Sequence, residues 1–316
     1  MKGTLRTLII LSIVIGMLST GVLFADAPQR GYHAIRPVQT SITVGWVGDM
    51  VPSDDASYNL SVFSSVANDL QLPDLMIGNL EGTFALPERT DKCIYIPTMC
   101  HAFRGDPSFA IALRDAGFDL VSLVNNHSYD YLRDGLEDTK RVLDDAGIPY
   151  ISPDKPTISM QVKGKRIGVL GLSSTEPAST ITDYDFIERE VKNLKQSNDY
   201  VIVIFHGGAE GSDKTEVPGT TEYMGTENRG DVQKVSYTAI DAGADLVLGS
   251  GPHVLRKIEV YKGAPIAYSL GNFVGGKHLV MGNTLSLSGI FTTTLGAGSY
   301  SLIPITLSPT GVPGHS

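Results

Sequence analysis

The sequence has little cysteine and less basic than acidic charge. Only two of its 316 residues are cysteines, so a small disulfide-rich fold is excluded, and the second cysteine pair of a structural zinc site is missing. The 25 basic residues are outnumbered by 34 acidic ones, which gives a formal net charge of -9. An acidic chain repels phosphate backbones and anionic lipid surfaces. Nucleic acid is therefore not an expected partner, and the acidity is explained most simply by a solvated surface.

Low-complexity tracts, internal repeats and domain linkers are missing from residues 40–310. Hydrophobic residues make up 42% of the chain and charged residues 19%, which is typical of a globular protein. A chain of this length buries a substantial core. The sequence therefore predicts one folded domain over residues 40–310, followed by a short tail at residues 311–316.

The N-terminus carries a long apolar run. Lys2 and Arg6 precede an apolar stretch over residues 8–25, and a basic start followed by such a stretch is typical of a secretory signal. The run is also near the shorter end of what spans a bilayer as a helix. We therefore expect residues 1–25 to be a signal peptide or an uncleaved membrane anchor, residues 26–39 to be a linker, and the domain to be extracytoplasmic.

Cys93 and Cys100 fit that compartment, because an oxidising exterior permits disulfides. We expect a disulfide that closes the short loop between them. Two free buried thiols are the alternative.

Strand-like runs alternate with helical segments, which is the pattern of an α/β fold. The predicted strands of the main part cover residues 42–47, 75–77, 120–124, 158–162, 167–172, 201–205 and 246–248. Helical spacing covers residues 107–116, 136–146 and 232–242, and each of these segments stops at a glycine. The C-terminal part is predicted to be nearly free of helix, with strands at residues 257–260, 266–269, 290–295 and 302–307.

Five of the strand-like runs end in loops with metal-binding residue types. These loops hold Asp49, Asn79 with Glu81, Asn126 with His127, His206, and His253. In open α/β sheets ligands bind beyond the carboxyl ends of the strands, because the loops there converge at one edge. Carboxylate, amide and imidazole groups bind hard and borderline divalent metals. The shared position therefore predicts a composite site for one or two divalent ions, which in such sites activate water and neutralise charge in phosphoryl transfer.

Each of these residues also has a purely structural explanation when it is taken alone. Asp49 could cap a helix or close a turn, and Asn126 could be a turn residue with a left-handed backbone. His206 and His253 could each be hydrogen-bonded structural histidines. The occurrence of four such residues at strand ends favours the metal site.

Seven motifs in this order resemble the CapA, or poly-γ-glutamate capsule, family of the calcineurin-like metallophosphoesterase superfamily. They are Val47-Gly48-Asp49, Gly78-Asn79-Leu80-Glu81-Gly82, Asn125-Asn126-His127-Ser128-Tyr129-Asp130-Tyr131, His206-Gly207-Gly208-Ala209-Glu210, Glu227-Asn228-Arg229-Gly230-Asp231, Gly251-Pro252-His253-Val254-Leu255 and Tyr268-Ser269-Leu270-Gly271-Asn272-Phe273. The resemblance covers nearly all of residues 40–310. It implies a four-layer α/β/β/α sandwich in which two mixed sheets pack face to face beneath outer helices.

The resemblance also implies roles for single residues. It makes Asp49, Asn126, His206 and His253 metal ligands, with Glu81 as an additional carboxylate ligand. The ions it implies are Mn, Zn, Fe or Mg.

His127 follows the metal-binding asparagine, and the resemblance makes it the proton donor to the leaving group. Imidazole suits that role because its ordinary pKa lies near neutrality.

Two departures from the superfamily pattern bear on the number of ions. Val51 stands where the first superfamily motif has a histidine, and Ser250 and Gly251 precede a single His253 where the last motif pairs two histidines. Two possibilities therefore remain: the site could bind one ion instead of two, or it could be non-catalytic.

Four further polar residues are candidate substrate contacts: Asn79, Arg229, Arg256 and Asn272. Arg229 could bind a carboxylate or phosphate as a planar fork, or it could form a surface salt bridge. Arg256 could likewise bind a substrate anion or form a surface salt bridge. Asn272 could face the cleft, or it could only shape the turn that follows it.

Three functions follow from these observations. The resemblance implies a CapA-type component of poly-γ-glutamate synthesis or export, held at the membrane by its N-terminal segment, with the polymer and membrane synthase or export proteins as partners. The strand-end ligands also fit a secreted phosphoesterase or related hydrolase that acts on small substrates. A non-catalytic binding scaffold, whose metal only stabilises loops, is the third possibility.

Overall fold

The computed structural model describes residues 41–86, 92, 101–175 and 180–316. Thr40–Ser316 form one compact unit. The expected signal or anchor, the expected linker, and Cys93 with Cys100 lie outside the described residues. Within the described ranges, no helix has the length and apolar character needed to cross a bilayer.

The chain alternates strands and helices in the first three quarters and is mostly strands thereafter. The strands are β1 Thr43–Met50, β2 Leu75–Leu80, β3 Leu120–Ser122, β4 Tyr150–Ile151, β5 Thr157–Val162, β6 Lys165–Ser173, β7 Tyr200–His206, β8 Glu222–Met224, β9 Glu227–Gly230, β10 Leu246–Ser250, β11 Ile258–Tyr261, β12 Ala264–Ala267, β13 Asn272–Val274, β14 Leu287–Thr294, β15 Tyr300–Leu307 and β16 Pro313–His315. The helices are α1 Ala56–Ser61, α2 Ala67–Leu70, α3 Ser108–Ala116, α4 Leu132–Ala146, α5 Tyr184–Lys195 and α6 Val232–Ala242, with a 3-10 turn at Asn283–Ser286.

The strands form two mixed sheets. The first has the order β16-β15-β14-β1-β2-β3-β4, and β13 pairs with the end of β1. Its strands β1 to β4 run parallel, whereas β14, β15 and β16 are joined to their neighbours in antiparallel fashion. The second sheet has the order β11-β12-β10-β7-β6-β5, with parallel pairing in its centre and antiparallel strands at both edges. Strands β8 and β9 form a separate antiparallel pair.

The two sheets pack face to face over a shared apolar core. This core contains Trp46 and Ile77 from the first sheet and Ile204 and Leu248 from the second. The indole nitrogen Nε1 of Trp46 also donates a hydrogen bond to the carbonyl oxygen of Gly249, at 3.3 Å. Central parallel strands buried on both faces are expected to be continuously apolar, and β7 fulfils this.

Helices cover the outer face of each sheet. Phe109 and Leu143, from α3 and α4, belong to the core outside the first sheet. Ile187 and Val235, from α5 and α6, belong to the core outside the second sheet. The order of layers is helix, sheet, sheet, helix, which confirms the predicted four-layer sandwich.

The structure corrects the predicted end of the domain. Residues 311–316 are not a tail, because Pro313–His315 form β16 and pair with β15. A turn makes this possible: the backbone nitrogen of Ser308 donates to the carbonyl oxygen of Val312 at 2.9 Å. Three residues are too few to show a strand period in the sequence.

Candidate metal centre

The carboxyl ends of three neighbouring strands bring Asp49, Asn79 and Asn272 side by side. Asp49 on β1 is the register partner of Asn79 on β2 and of Asn272 on β13. In the second sheet, His206 on β7 is flanked by Ser173 and Ser250 in the same way. The two rows face each other across the sandwich, with His206 Nδ1 3.9 Å from Asp49 Oδ1.

A close backbone approach explains why glycine precedes Asp49. A Cβ atom on Gly48 would lie 2.0 Å from the carbonyl oxygen of Gly271. The next backbone nitrogen, that of Asp49, donates to the same oxygen at 3.0 Å. Any larger residue at position 48 would push the segment before β13 away from β1, and Asn272 with it.

Glu81 lies at the centre of the cluster. Its Oε1 atom is 3.8 Å from His127 Nε2, 3.6 Å from His206 Nε2 and 3.7 Å from His253 Nε2. The Glu81 side chain is fully buried, and neither of its carboxylate oxygens has a hydrogen-bond partner among the described residues. Three imidazole nitrogens thus converge on one carboxylate oxygen that accepts no hydrogen bond from the described chain.

Acceptor groups behind two of the imidazoles orient the rings. Asp130 Oδ2 is 2.7 Å from His127 Nδ1, and Asn272 Oδ1 is 2.8 Å from His253 Nδ1. Since both oxygens can only accept, each Nδ1 carries a proton and donates. With Nδ1 used in this way, Nε2 is the ring atom that each of these histidines directs at the centre of the cluster, where a metal-binding histidine needs it.

A cavity of about 290 Å³ opens beside this cluster. Its described lining consists of His101, Phe103, His127, Glu210, Gly211, Met224, His253, Asn272, Leu279, Val280 and Leu285. The ring of Phe103 stacks on His127, with a distance of 4.2 Å between the ring centroids. His127 and His253 of the cluster are therefore reachable from solvent on this side.

Residues 43–277 match the family model of the bacterial capsule synthesis protein PGA_cap. The chain belongs to this family. It is 27% identical over 298 residues to the capsule biosynthesis protein CapA of Bacillus anthracis, an alignment that covers 83% of this chain and 67% of that protein. It is 30% identical over 266 residues to the PGA biosynthesis protein CapA of Bacillus subtilis strain 168, with coverage of 78% and 64%. The chain spans about two thirds of the length of these relatives.

A solved structure agrees with the fold of this family member. The crystal structure of a novel phosphatase from Mycoplasma pneumoniae superposes with a TM-score of 0.51 at 13% sequence identity, covering 84% of this chain and 94% of that chain. At this identity the likeness concerns the fold alone. It supports the metallophosphoesterase-like arrangement of the two sheets.

Electrostatics in the PGA_cap site favour a cation beside Glu81. Burial raises the pKa of Glu81 well above its ordinary value, and the negative charge of Asp49 raises it further. Burial would also raise the pKa of Asp49, but hydrogen bonding and the positive charge of His253 lower it to about 2. Asp49 and Glu81 are both buried, and their ligand atoms lie within 4.8 Å of each other. A positive charge between two such carboxylates stabilises them.

The surroundings shift the pKa values of the three histidines in different directions. Burial lowers the pKa of His206 well below its ordinary value, although Asp49 opposes this. Burial also lowers the pKa of His127, against the effect of Asp130. For His253, burial is outweighed by the charges of Glu81 and its neighbours, and the pKa rises to about 10. A metal ion that binds His253 Nε2 would displace a proton there.

The donor set fits a divalent metal ion. Asp49, Glu81 and His253 can each offer a ligand atom, and these atoms lie within 4.8 Å of one another. In the described parts of the chain, six buried side-chain atoms have no hydrogen-bond partner, and four of them are Glu81 Oε1 and Oε2, Asn126 Oδ1 and His206 Nε2. All four belong to residues that the sequence predicts as ligands, and unsatisfied buried polar atoms are costly unless an unseen group binds them.

The positions that depart from the superfamily pattern add no further ligand to this set. Val51 is apolar and buried. The hydroxyl of Ser250 lies 3.0 Å from His206 Nδ1, and the backbone nitrogen of Gly251 donates to Asp49 Oδ2 at 3.2 Å. Both positions therefore support a ligand from behind instead of contributing one.

Two of the predicted substrate contacts hold ligands in place. The carboxamide of Asn79 donates to Asp49 Oδ1 at 2.8 Å and accepts from Asn125 Nδ2 at 3.0 Å, and its side chain is buried behind the ligands. Asn272 lines the cavity, but its carboxamide oxygen is taken by His253. Their geometry gives both asparagines a positioning role.

The two predicted arginine contacts are buried ion pairs. Arg229 has no solvent exposure and lies 3.0 Å from Glu210 Oε1 through its Nη2 atom. Arg256 is also buried and pairs with both oxygens of Glu222, at 2.7 and 2.9 Å. Arg256 is not part of the described cavity lining, so the structure does not bring it to the substrate side of the cluster.

The sequence did not single out Asn125, Asp130 and Glu210, which the structure brings to the site. Asp130 orients His127, and Asn125 fixes the Asn79 carboxamide. Glu210 Oε2 lies 3.9 Å from His253 Nε2 and faces the cavity. All three belong to the resemblance motifs, so those motifs were the only signal that could have marked them.

The Arg256→Met variant is expected to unfold more easily than the wild type. Arg256→Met leaves Glu222 buried without its partner, and breaking a buried ion pair from one side costs about 3–5 kcal/mol of unfolding free energy. Urea unfolding measures this as a lower midpoint with an unchanged slope. The double variant Arg256→Met/Glu222→Met is expected to regain part of the loss, because it removes the orphaned charge. If the unfolding free energy of Arg256→Met is within about 1 kcal/mol of the wild-type value, then the ion pair contributes little to stability.

Proposed function

We propose that this chain is a CapA-type component of poly-γ-glutamate capsule synthesis or export. The observation that carries the proposal is the match of residues 43–277 to the bacterial capsule synthesis family. The names of the two Bacillus relatives support it, and so does a relative in Mycobacterium tuberculosis that is 25% identical and is called a probable polyglutamine synthesis accessory protein. Its partners would be the polymer and the membrane proteins that make or export it.

We place this work outside the cytoplasm, with the N-terminal segment as a signal or anchor. The support for this is the basic start and the apolar run over residues 8–25. A fusion of the full chain to alkaline phosphatase, which is active only after export, tests the location. Intact fusion protein that accumulates without phosphatase activity would contradict it.

The proposed site holds at least one divalent ion through Asp49, Glu81, His206 and His253, with Asn126 as a further ligand. Such an ion supplies an activated water molecule and charge neutralisation at the bond that is cleaved. The chain itself contributes His127, whose ring is oriented by Asp130 and stacked on Phe103. His127 Nε2 faces both Glu81 and the cavity, which is the position needed to pass a proton to a leaving group.

Deletion of the gene in a strain that makes the polymer is expected to change the amount or the length of released poly-γ-glutamate. Wild-type protein should restore both, and Asp49→Ala should not, because it removes a ligand at the centre of the cluster. Gel electrophoresis of the released polymer measures both quantities. Unchanged polymer after deletion would contradict the capsule proposal.

The orientation of His127 by Asp130 favours one alternative, a metal-dependent phosphoesterase that acts on small substrates. Purified protein would then hydrolyse an aryl phosphate in the presence of Mn²⁺, and a chelator would stop the reaction. A lack of turnover across Mn²⁺, Zn²⁺, Fe²⁺ and Mg²⁺ would remove this alternative.

A further inference from the structure

Five apolar side chains line the cavity next to the histidines of the cluster. We call these residues the apolar wall: Phe103, Met224, Leu279, Val280 and Leu285. Val280 is 82% exposed and Met224 is 47% exposed. Single exposed apolar residues are common on protein surfaces, but a group of them beside a site with a few convergent polar groups is typical of a ligand pocket.

The charge of the cavity does not suit a free polyanion. None of its described lining residues is a lysine or an arginine, whereas Glu210 contributes a carboxylate. Arg229, a buried cation behind Glu210, is already paired with that carboxylate at 3.0 Å. Beyond the proposed ion, a chain of repeated carboxylates would meet the Glu210 carboxylate and apolar side chains among the described lining residues.

Hydrogen bonds tie the apolar wall to the metal ligands. The Asn272 carboxamide accepts from His253 Nδ1 at 2.8 Å and donates to the carbonyl oxygen of Leu285 at 3.1 Å. The hydroxyl of Thr284 donates to the carbonyl oxygen of Ser212 at 2.6 Å and joins the wall to the loop that follows β7. The Leu285 side of the wall is therefore held at a fixed place relative to the proposed ion, as a preformed pocket requires.

We propose that the substrate of this site is an amphiphilic anion, with a phosphate or carboxylate head at the metal cluster and an aryl or alkyl group against the apolar wall. This rests on the proposed metal site and names the substrate class for it. A cavity of about 290 Å³ accepts a small apolar group, since it lies at the lower end of ligand-pocket volumes. The apolar group, more than the charge, selects the substrate.

A series of alkylphosphonates tests the proposal without any need for turnover. We expect the affinity of the Mn²⁺-loaded protein, measured by calorimetry, to rise about two- to fourfold per added methylene from methyl- to octylphosphonate and then to level off, because each buried methylene contributes a hydrophobic increment. The matching alkyl carboxylates show which head group is preferred. Val280→Gln should flatten the dependence on chain length, and Val260→Gln, at a 44% exposed position on β11, should leave it unchanged.

A second measurement separates this proposal from the metal site. In the protein without added metal, octylphosphonate at higher concentration should still shift the methyl NMR signals of Leu279, Val280 and Met224, whereas methylphosphonate should not. A lack of shifts with the octyl ligand would overturn the proposal whatever the metal result. Affinity that is independent of chain length would overturn it too, as would tighter binding of tri-γ-glutamate than of octylphosphonate. Val280-dependent binding to lipid vesicles without any soluble-ligand effect would replace it with a membrane-contact surface.

Discussion

Glu81→Gln is expected to stabilise the metal-free protein and to abolish its stabilisation by Mn²⁺. The carboxylate of Glu81 is buried, both of its oxygens lack hydrogen-bond partners in the described chain, and Asp49 adds like charge. An unsatisfied buried polar group costs about 1–3 kcal/mol, and more when it is charged. A neutral amide of the same shape removes the charge.

The same substitution removes the central ligand of the proposed ion. A ligand that binds only the folded state stabilises it by an amount that grows with its concentration over its dissociation constant, about 2.7 kcal/mol at a hundredfold excess. Wild-type protein should therefore melt at a higher temperature when Mn²⁺ is added, and Glu81→Gln should not. Thermal melting with and without EDTA measures both effects in one experiment.

Glu137→Gln provides the matched control, since Glu137 lies on the exposed surface of α4, where it pairs with Lys140 at 3.1 Å. It should change the unfolding free energy by less than about 0.5 kcal/mol, with or without metal. If Glu81→Gln destabilises the metal-free protein and keeps the Mn²⁺ response, then Glu81 is a structural carboxylate and not a ligand.

For the phosphoesterase alternative, His127→Ala is expected to lower turnover by about 10²- to 10⁴-fold, the usual contribution of a positioned acid or base. Its Nε2 atom faces the cluster and the cavity, and Asp130 with Phe103 fixes the ring. Metal content per protein, measured by elemental analysis, should stay the same, because Asp49, Glu81, His206 and His253 remain. The measurement is hydrolysis of an aryl phosphate by the Mn²⁺-loaded protein.

Asp130→Asn separates orientation from proton transfer. Since an amide can present either its oxygen or its NH₂ group to His127 Nδ1, the variant should keep the ring in place but lose control of its tautomer. An intermediate loss of turnover is expected. His315→Ala, at an exposed position on β16, is the control and should be as active as the wild type. Loss of the metal from His127→Ala would instead make His127 a ligand, which its 3.8 Å distance to Glu81 allows.

The strands and helices with strong sequence periods were predicted closely. The helix predicted over residues 232–242 is α6 with the same bounds, and the helix predicted over residues 107–116 begins one residue later. The helix predicted from residue 136 begins one turn earlier, at Leu132. Helices α1, α2 and α5 and the short strands β4, β8, β9, β13 and β16 were not predicted. Most of these elements are too short to show a period, and β13 pairs with β1, which lies far away in the chain.

The sequence by itself determined the residue types at the carboxyl ends of the strands, since Asp49, Glu81, His206 and His253 each follow an apolar run. It also determined the family, because seven motifs occur in a fixed order. It could not decide which atoms of those residues face one another, because the four residues are separated by tens of positions or more in the chain.

Only the tertiary structure decided that three imidazole nitrogens converge on Glu81 and that Asn79, Asn272 and Asp130 stand behind the ligands. It also decided that Arg256 forms a buried ion pair with Glu222. The physical reason is that these outcomes depend on the register between β1, β2 and β13 and on the packing of the two sheets. Those distances are set by backbone hydrogen bonds and core contacts between segments remote in sequence, which no local pattern encodes.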